Sequence, residues 1–101
     1  MTEGPGWDAV VVHPEDDVAT ALHALSAGSV ARVQVGAATR ECMVAEPIPA
    51  GHKLALRELE AGAPVTKYGE PIGETTTRIG RGAWVHTHNL RSRRAQRSAG
   101  S

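Results

Sequence analysis

The sequence predicts a small, mainly β domain of short strands with one short helix. Its 101 residues are enough for one domain and make a second one unexpected. An aliphatic residue followed by two residues and then Gly recurs at residues 25–28, 48–51, 59–62 and 79–82. A Gly at a fixed offset from an apolar anchor is typical of a tight turn that needs positive φ. Strands and long helices do not alternate along the chain, so a parallel α/β sheet is not expected.

The first strand is predicted at residues 8–12, where an apolar run lies between Gly6 and Pro14. A helix is predicted at residues 18–25. Asp16 and Asp17 are available as an N-cap, and apolar residues at 18, 21, 22 and 25 follow helical spacing. Gly28 then stands where a C′ residue would end the helix.

The rest of the chain is predicted to form strands joined by turns. Residues 31–35 alternate between apolar and polar, and residues 39–45 return after a turn at 36–38, which indicates a hairpin. Pro47 and Pro49 favour an extended path beyond it. Further short strands are predicted at residues 53–56, 64–67, 71–76 and 83–88.

The composition limits the class of protein. There is no Phe and there are only three aromatic residues, so the core must consist of Val, Leu, Ile and Ala. No stretch approaches the ~18 apolar residues of a membrane span, and we expect no membrane partner. Cys42 is the single cysteine, which agrees with a reducing cytoplasm, and we expect it to be a small buried side chain.

The two ends of the chain are predicted to lie outside the domain, which would span residues 8–90. Residues 1–7 read as a flexible N-terminus. Residues 91–101 carry four arginines and read as a disordered basic tail. A nucleic-acid arm is the alternative, but no aromatic residue lies between the arginines to stack on a base, so we expect no nucleic-acid partner.

Three polar segments are candidates for a functional site. His86 and His88 are two positions apart on a predicted strand, so both imidazoles would face one ligand or one divalent metal. An ordinary polar strand face is the alternative. His52 and Lys53 follow a turn Gly and would supply a titratable base beside a fixed cation, or merely a polar hairpin surface.

Lys67 and Tyr68 form the third segment, in which an ammonium and a phenol would meet a substrate carboxylate. For Tyr68 alone, the expected position is half-buried against the small core with its hydroxyl at the edge.

Three stretches of the sequence identify a family resemblance. Residues 48–56 (IPAGHKLAL), 67–73 (KYGEPIG) and 82–90 (GAWVHTHNL) resemble the N-terminal SAF domain of the altronate dehydratase family. That family includes galactarate dehydratases and two-subunit sulfolactate sulfo-lyases. The resemblance extends from about residue 9 to residue 90. It implies a β-clip fold, in which the short strands are curled.

The resemblance also implies lyase chemistry on hydroxy acids, in which a base removes the proton α to a carboxylate and a β-hydroxyl or sulfite leaves. A divalent metal, usually iron, is associated with the family, and we expect the partner subunit to hold it. The chain would then be a small subunit that completes the active site of a separate large catalytic subunit and is inactive alone. The alternative is a non-catalytic SAF module that binds acidic sugars or mediates assembly.

The site residues implied by this resemblance come from all three segments, with His52 and Lys53 as catalytic groups. His86 and His88 are assigned to substrate binding or, alternatively, to a metal. The full set of substrate-binding candidates is Lys67, Tyr68, His86, His88 and Asn89. We expect His52 to lie near His86 and His88. Open strand edges also predict a possible homodimer when the partner is absent.

Overall fold

The computed structural model describes residues 6–92, which form two β-sheets and no helix. The mainly β prediction is confirmed. Within the described residues no helix is long and apolar enough to cross a membrane. The nine strands are β1 (Ala9–Val11), β2 (Val18–Ala21), β3 (Val30–Val35), β4 (Ala38–Met43), β5 (Lys53–Ala55), β6 (Pro64–Lys67), β7 (Glu70–Thr75), β8 (Trp84–Val85) and β9 (Leu90–Ser92).

The larger sheet has six strands in the order β4-β3-β1-β2-β5-β8, and the smaller has the order β6-β7-β9. In the larger sheet β1 and β3 run parallel, whereas β2 is antiparallel to both β1 and β5. The predicted hairpin is confirmed as β3 and β4, whose register pairs Val30 with Met43 and Val35 with Ala38.

The predicted helix at residues 18–25 is wrong, because its first half is the central strand β2. Val18, Ala19 and Ala21 are each about 1% exposed, since sheet neighbours lie on both sides of this strand. A short apolar run that is buried all round has no periodicity that separates strand from helix. The polar residues before it do not cap a helix, because the Asp17 carboxylate instead accepts a hydrogen bond from the distant Thr66 N–H.

The four turns predicted from the recurring glycines are confirmed. Their glycines have φ between 81° and 85°, and in each turn the N–H of the following residue donates to the carbonyl three residues earlier. This is the pattern of a type II turn, which requires positive φ at its third position. The turn glycines are Gly28, Gly51, Gly62 and Gly82.

The apolar anchors that open these turns are buried and pair with one another. Leu25 and Ile48 exchange two backbone hydrogen bonds of 2.8 and 3.0 Å, and Leu59 and Ile79 exchange two of 2.8 Å. Each pair lies in a different hydrophobic cluster. The four turns are therefore joined in pairs through their anchors, and each pair contributes its two anchors to one hydrophobic cluster.

The first half of the domain is tied together by Asp8. Its carboxylate accepts a 2.8 Å hydrogen bond from the Arg32 N–H and lies 2.9 Å from His23 Nε2. Its carbonyl accepts a hydrogen bond from the Leu22 N–H. The short β1 strand is thus joined both to β3 and to the segment after β2.

Asp17 repeats this arrangement in the second half. Its carboxylate accepts hydrogen bonds of 2.8 Å from the Thr66 N–H and from Arg57 Nε, and its carbonyl accepts one from the Leu56 N–H. Each of the three partners of Asp17 lies 34 positions after the corresponding partner of Asp8, so this arrangement of residues occurs twice in the domain. The equivalent pairs are Leu22 and Leu56, His23 and Arg57, and Arg32 and Thr66.

Asp16 joins the loop before β2 to the β6–β7 hairpin. It is 8% exposed and accepts hydrogen bonds from the N–H groups of Gly69 and His13. Burial acts to raise the pKa of this carboxyl group, but the backbone N–H groups of Gly69, Tyr68 and His13 outweigh it, so that the pKa lies below its ordinary value.

Two hydrophobic clusters form the core, as a small domain without Phe requires. The first, under the six-stranded sheet, includes Leu25, Val33, Ile48 and Leu54, together with Cys42. Cys42 is 2% exposed, so the prediction of a buried thiol is confirmed. The second cluster comprises Val18, Ala55, Leu59, Val65, Ile79 and Val85.

The later strands agree with prediction until the end of the domain. The strands predicted at 53–56, 64–67 and 71–76 are observed as β5, β6 and β7. The strand predicted at 83–88 is wrong beyond Val85, where the chain turns. β9 was not predicted, and its pairing with β7 places Arg91 and Ser92 in a sheet and not in a tail. Residues 1–5 and 93–101, with most of both predicted termini, lie outside the described residues.

A series of glycine substitutions separates the cost of positive φ from that of steric overlap. Gly80 does not have a positive φ, and the space around its Cα is open. Gly62 has φ of 81° and is also surrounded by open space. At Gly82, which has φ of 85°, a Cβ would meet the Met43 carbonyl oxygen. We expect Gly80→Ala to change the free energy of unfolding little. Gly62→Ala should cost about 1–2 kcal/mol, the penalty of a left-handed L-residue. Gly82→Ala should cost more than either.

Urea denaturation of the three variants measures this order. Equal losses for Gly80→Ala and Gly62→Ala would contradict the requirement for positive φ.

The lowered pKa of Asp16 predicts an acid-dependent loss of stability. A carboxyl group whose pKa is lower in the folded than in the unfolded state stabilises the fold above its unfolded pKa, and this contribution disappears as the pH falls through the folded value. The free energy of unfolding should therefore fall as the pH decreases below about 5, and the loss should continue until the pH is below the folded pKa. Asp16→Asn should reduce this dependence, whereas Glu15→Gln, at an exposed position, should keep it. An unchanged pH profile for Asp16→Asn would contradict the account.

Candidate functional site

The candidate site lies where the strands that follow two of the glycine turns pair with each other. The turn at Gly51 leads into β5 and the turn at Gly82 leads into β8. β5 and β8 are antiparallel, with Lys53 opposite Val85 and Leu54 opposite Trp84. His52, just before β5, therefore lies opposite His86, just after β8, although more than thirty positions separate them in sequence.

Three imidazoles surround the indole of Trp84, and we call this group (His52, His86, His88 and Trp84) the histidine face. The ring centroids of His52 and His86 are 4.6 Å apart. The indole stacks on His86 with 9° between the planes and lies 5.0 Å from His88. The prediction that His52 lies near His86 and His88 is confirmed: its ring contacts that of His86, and both His52 and His88 contact Trp84.

His52 is also hydrogen-bonded within the face. The Nε1–H of Trp84 donates to His52 Nδ1 over 3.0 Å, with the ring centroids 5.6 Å apart. The backbone N–H of Trp84 in turn donates to a carboxylate oxygen of Glu46 at 2.9 Å. Trp84 is therefore hydrogen-bonded to His52 through its indole and to Glu46 through its backbone.

His86 and His88 come together for a reason different from the one predicted. They lie in a turn at residues 86–89, not on a strand. Asn89 closes this turn: its Oδ1 accepts from the His86 N–H at 2.9 Å and its Nδ2 donates to the Trp84 carbonyl at 2.8 Å. An Asn side chain that replaces backbone hydrogen bonds is a common way to end a strand. Asn89 is 6% exposed, and its amide is engaged in this turn. Its predicted contact with substrate stays a prediction.

Trp84 is the component that sequence reasoning missed. In a chain with two Trp residues and no Phe, an aromatic residue between apolar neighbours reads as part of the core. Trp84 is only half-buried, and it is the ring that all three imidazoles contact. Trp84 stands two residues after Gly82, where Lys53 stands after Gly51, and this position carries no local signal that separates the rim of the sheet from the core.

The electrostatics of the face favour neutral imidazole at His86. Partial burial lowers the pKa of His86, and the positive charges of His52, Lys53 and His88 lower it further. At neutral pH His86 is therefore uncharged and has a free lone pair. The ammonium of Lys53 is the permanent positive charge beside it.

Lys67 and Tyr68 occupy another part of the domain. Tyr68 and Gly69 form a two-residue hairpin turn between β6 and β7, with φ of 58° and 73°. The expectation that Tyr68 half-buries its ring is wrong. At this turn tip it is 59% exposed, with Lys67 Nζ 3.6 Å from the ring centroid. Within residues 6–92 no hydrogen bond or ring contact joins this pair to the histidine face.

The donor set of the face does not fit a complete metal site. In the described part of the chain no group of three or more His, Cys, Asp or Glu side chains is arranged to hold a metal ion. The rings that meet at the face are three imidazoles and an indole, and the Glu46 carboxylate beside them accepts a hydrogen bond from the Trp84 backbone N–H. We therefore derive no step through a metal bound by this chain alone.

Two histidines should titrate in opposite directions from the ordinary value of about 6.5. His86 should titrate below it, for the reasons above. His23 should titrate above it, because the Ala24 carbonyl and then the Asp8 carboxylate accept hydrogen bonds from its ring. Histidine titration by NMR measures both. Lys53→Met should raise the pKa of His86 alone, and Asp8→Asn should lower that of His23 alone. A Lys53→Met variant with an unchanged His86 pKa would contradict this.

Comparison with known proteins gives consistent matches. Residues 7–93 match the altronate/galactarate dehydratase SAF domain. The chain is 36% identical over 83 residues to altronate dehydratase of Escherichia coli (strain K12), covering 82% of this chain and 16% of that protein. It is 49% identical over 47 residues to (2R)-sulfolactate sulfo-lyase subunit alpha of Paracoccus pantotrophus, covering 46% of this chain and 70% of that subunit.

A further match is galactarate dehydratase (L-threo-forming) of Escherichia coli (strain K12), 45% identical over 40 residues, which are 40% of this chain and 8% of that protein. The chain thus spans about one sixth of altronate dehydratase but most of the sulfo-lyase subunit. The family match covers nearly all of the described residues. This chain belongs to the SAF-domain family of the altronate and galactarate dehydratases.

Proposed function

We propose that this chain is the small SAF subunit of a hydroxy-acid dehydratase or lyase, and that its histidine face completes the active site of a larger catalytic subunit. The observation that carries the proposal is the convergence of His52, Lys53, His86 and His88 on one surface. Support also comes from the family match and from the similarity to a protein named as subunit alpha of a sulfo-lyase.

The chemistry of the face suits an acidic, hydroxylated substrate. The Lys53 ammonium supplies positive charge for a carboxylate, and imidazole N–H groups donate to carboxylate or hydroxyl oxygens. In the proposed elimination a base removes the proton α to the carboxylate, and a β-hydroxyl leaves as water, or sulfite leaves from a sulfonate. Neutral His86 is suited to accept a proton within such a site. A divalent metal, if the reaction uses one, would be bound mainly by the larger subunit.

The histidine face lies at an open edge of the larger sheet. Its rings lie at the rim of the sheet, where β8 is the outermost strand of the order β4-β3-β1-β2-β5-β8. A larger subunit that covers this rim would exclude water from the imidazoles and strengthen their electrostatic interactions. The exposed edges of β4 and β8 would allow homodimers in its absence. A free, buried Cys42 agrees with assembly in a reducing cytoplasm.

Reconstitution tests the proposal. The chain alone should show no turnover of altronate, galactarate or sulfolactate, because the acid, base and metal are not all present. Mixed with the large subunit of this family from the same genome, it should restore turnover of at least one of these acids. In that mixture His52→Ala should lower kcat/KM about 100-fold or more, the typical loss of a group that acts on the reacting atoms.

His23→Ala is the matched control, because His23 pairs with Asp8 and lies outside the face. It should retain turnover. Robust activity of the isolated chain would overturn the subunit assignment. Retained activity of His52→Ala in the mixture would instead identify the chain as a module that only assembles the enzyme or binds acidic sugars.

A further inference from the structure

We infer that Trp84 is a positioning residue that holds His52 in its Nε2–H tautomer, so that His52 presents a hydrogen-bond donor and not a base to the ligand of the histidine face. The tautomer follows from this chain alone, and only the nature of the ligand rests on the proposed function. The sequence suggested that His52 is a base, whereas this tautomer makes it a hydrogen-bond donor.

The hydrogen bond between the two rings determines where the proton of His52 lies. An indole N–H can only donate. Since it lies 3.0 Å from His52 Nδ1, that nitrogen must offer a lone pair and carry no proton. A neutral imidazole has a single N–H, which is therefore on Nε2. Placing a proton on Nδ1 would set two donors against each other and remove the hydrogen bond.

Trp84 is held in the orientation that this requires. Its backbone N–H donates to Glu46 and its carbonyl accepts from Asn89 Nδ2, so hydrogen bonds hold the backbone at both groups. The indole also stacks on His86 with 9° between the ring planes. The direction of the indole N–H is thus determined by three contacts that do not involve His52.

His52 and His86 therefore have different roles within the face, the first as a hydrogen-bond donor and the second as a proton acceptor. The Nε2–H of His52 is suited to a carboxylate or hydroxyl oxygen, and the next residue in the chain, Lys53, supplies a positive charge that acts on His86 in the same face. A lone pair for accepting a proton is instead available on neutral His86, 4.6 Å away between ring centroids. His52 would accordingly orient substrate and stabilise negative charge on oxygen.

Nitrogen NMR of the full chain tests the tautomer directly. Long-range ¹⁵N–¹H spectra distinguish a protonated from an unprotonated ring nitrogen, and His52 should show the proton on Nε2. Trp84→Phe keeps an aromatic ring but removes the donor, and it should convert His52 to a mixture of tautomers. Trp7→Phe is the matched control, because Trp7 donates to Thr39 and not to a histidine. A proton on Nδ1 in the wild type, or an unchanged tautomer in Trp84→Phe, would overturn the inference.

Should Trp84→Phe fail to fold, the wild-type spectrum and exchange of the Trp84 indole proton still decide the matter. That proton should exchange with solvent at least tenfold more slowly than in His52→Ala. Equal exchange rates would mean that the hydrogen bond is absent.

The reconstituted enzyme tests the donor role with altronate as the probe. His52→Gln retains an acceptor for Trp84 and an N–H donor but cannot take up a proton. The kcat/KM of His52→Gln should be at least tenfold higher than that of His52→Ala. Equal losses in kcat for the two variants would show that His52 acts as a base. If the mixture shows no turnover at all, the proposed function fails while the NMR result stands by itself.

Discussion

The paired glycine turns are the constraint on which this domain depends. Each begins at a buried aliphatic residue and ends at a glycine with φ above 80°, a conformation that other residues adopt only at a cost. The anchors then bond to each other in pairs, Leu25 with Ile48 and Leu59 with Ile79. In a core that has no Phe, four aliphatic anchors at fixed places determine how the short strands are arranged.

The site is a consequence of the same repetition. β5 and β8 both start just after a glycine turn, and their antiparallel pairing places the residue before β5 beside the residue that follows β8. The first residues that leave the two turns differ. In one unit these residues are His52 and Lys53, and at the equivalent place in the other they are Ala83 and Trp84. The domain therefore places different chemistry on equivalent backbone positions. His52 from one unit meets the indole from the other, and Asn89 adds the other two imidazoles, those of His86 and His88, by ending β8 in a turn.

Much of this architecture could be predicted from local sequence signals, and the failures have physical causes. Glycine spacing identified the turns, since positive φ is a local requirement. The helix at residues 18–25 was wrong because helical spacing of four apolar residues carries no information about the strands that flank β2 on both sides. β9 was missed because Leu90 and Arg91 form a strand only through their pairing with the distant residues Thr75 and Glu74.

The site was predicted in part. Its histidines were identified, and their proximity followed from the turn glycines. The part of Trp84 could not be read from sequence, because an aromatic residue on a short strand is ordinarily a core residue and only its position at the rim shows otherwise. Lys67 and Tyr68 were grouped with the site on resemblance, yet the hairpin tip on which they lie has contacts elsewhere, with Asp16 and His13.

The histidine face is proposed to form one wall of an active site shared with a larger subunit. The structure of the chain in complex with that subunit and a bound hydroxy acid tests it most directly. The larger subunit should cover the face, with a substrate oxygen within hydrogen-bonding distance of His52 Nε2 and the substrate carboxylate near Lys53. A complex in which His52, His86 and His88 face solvent, away from the substrate, would contradict it.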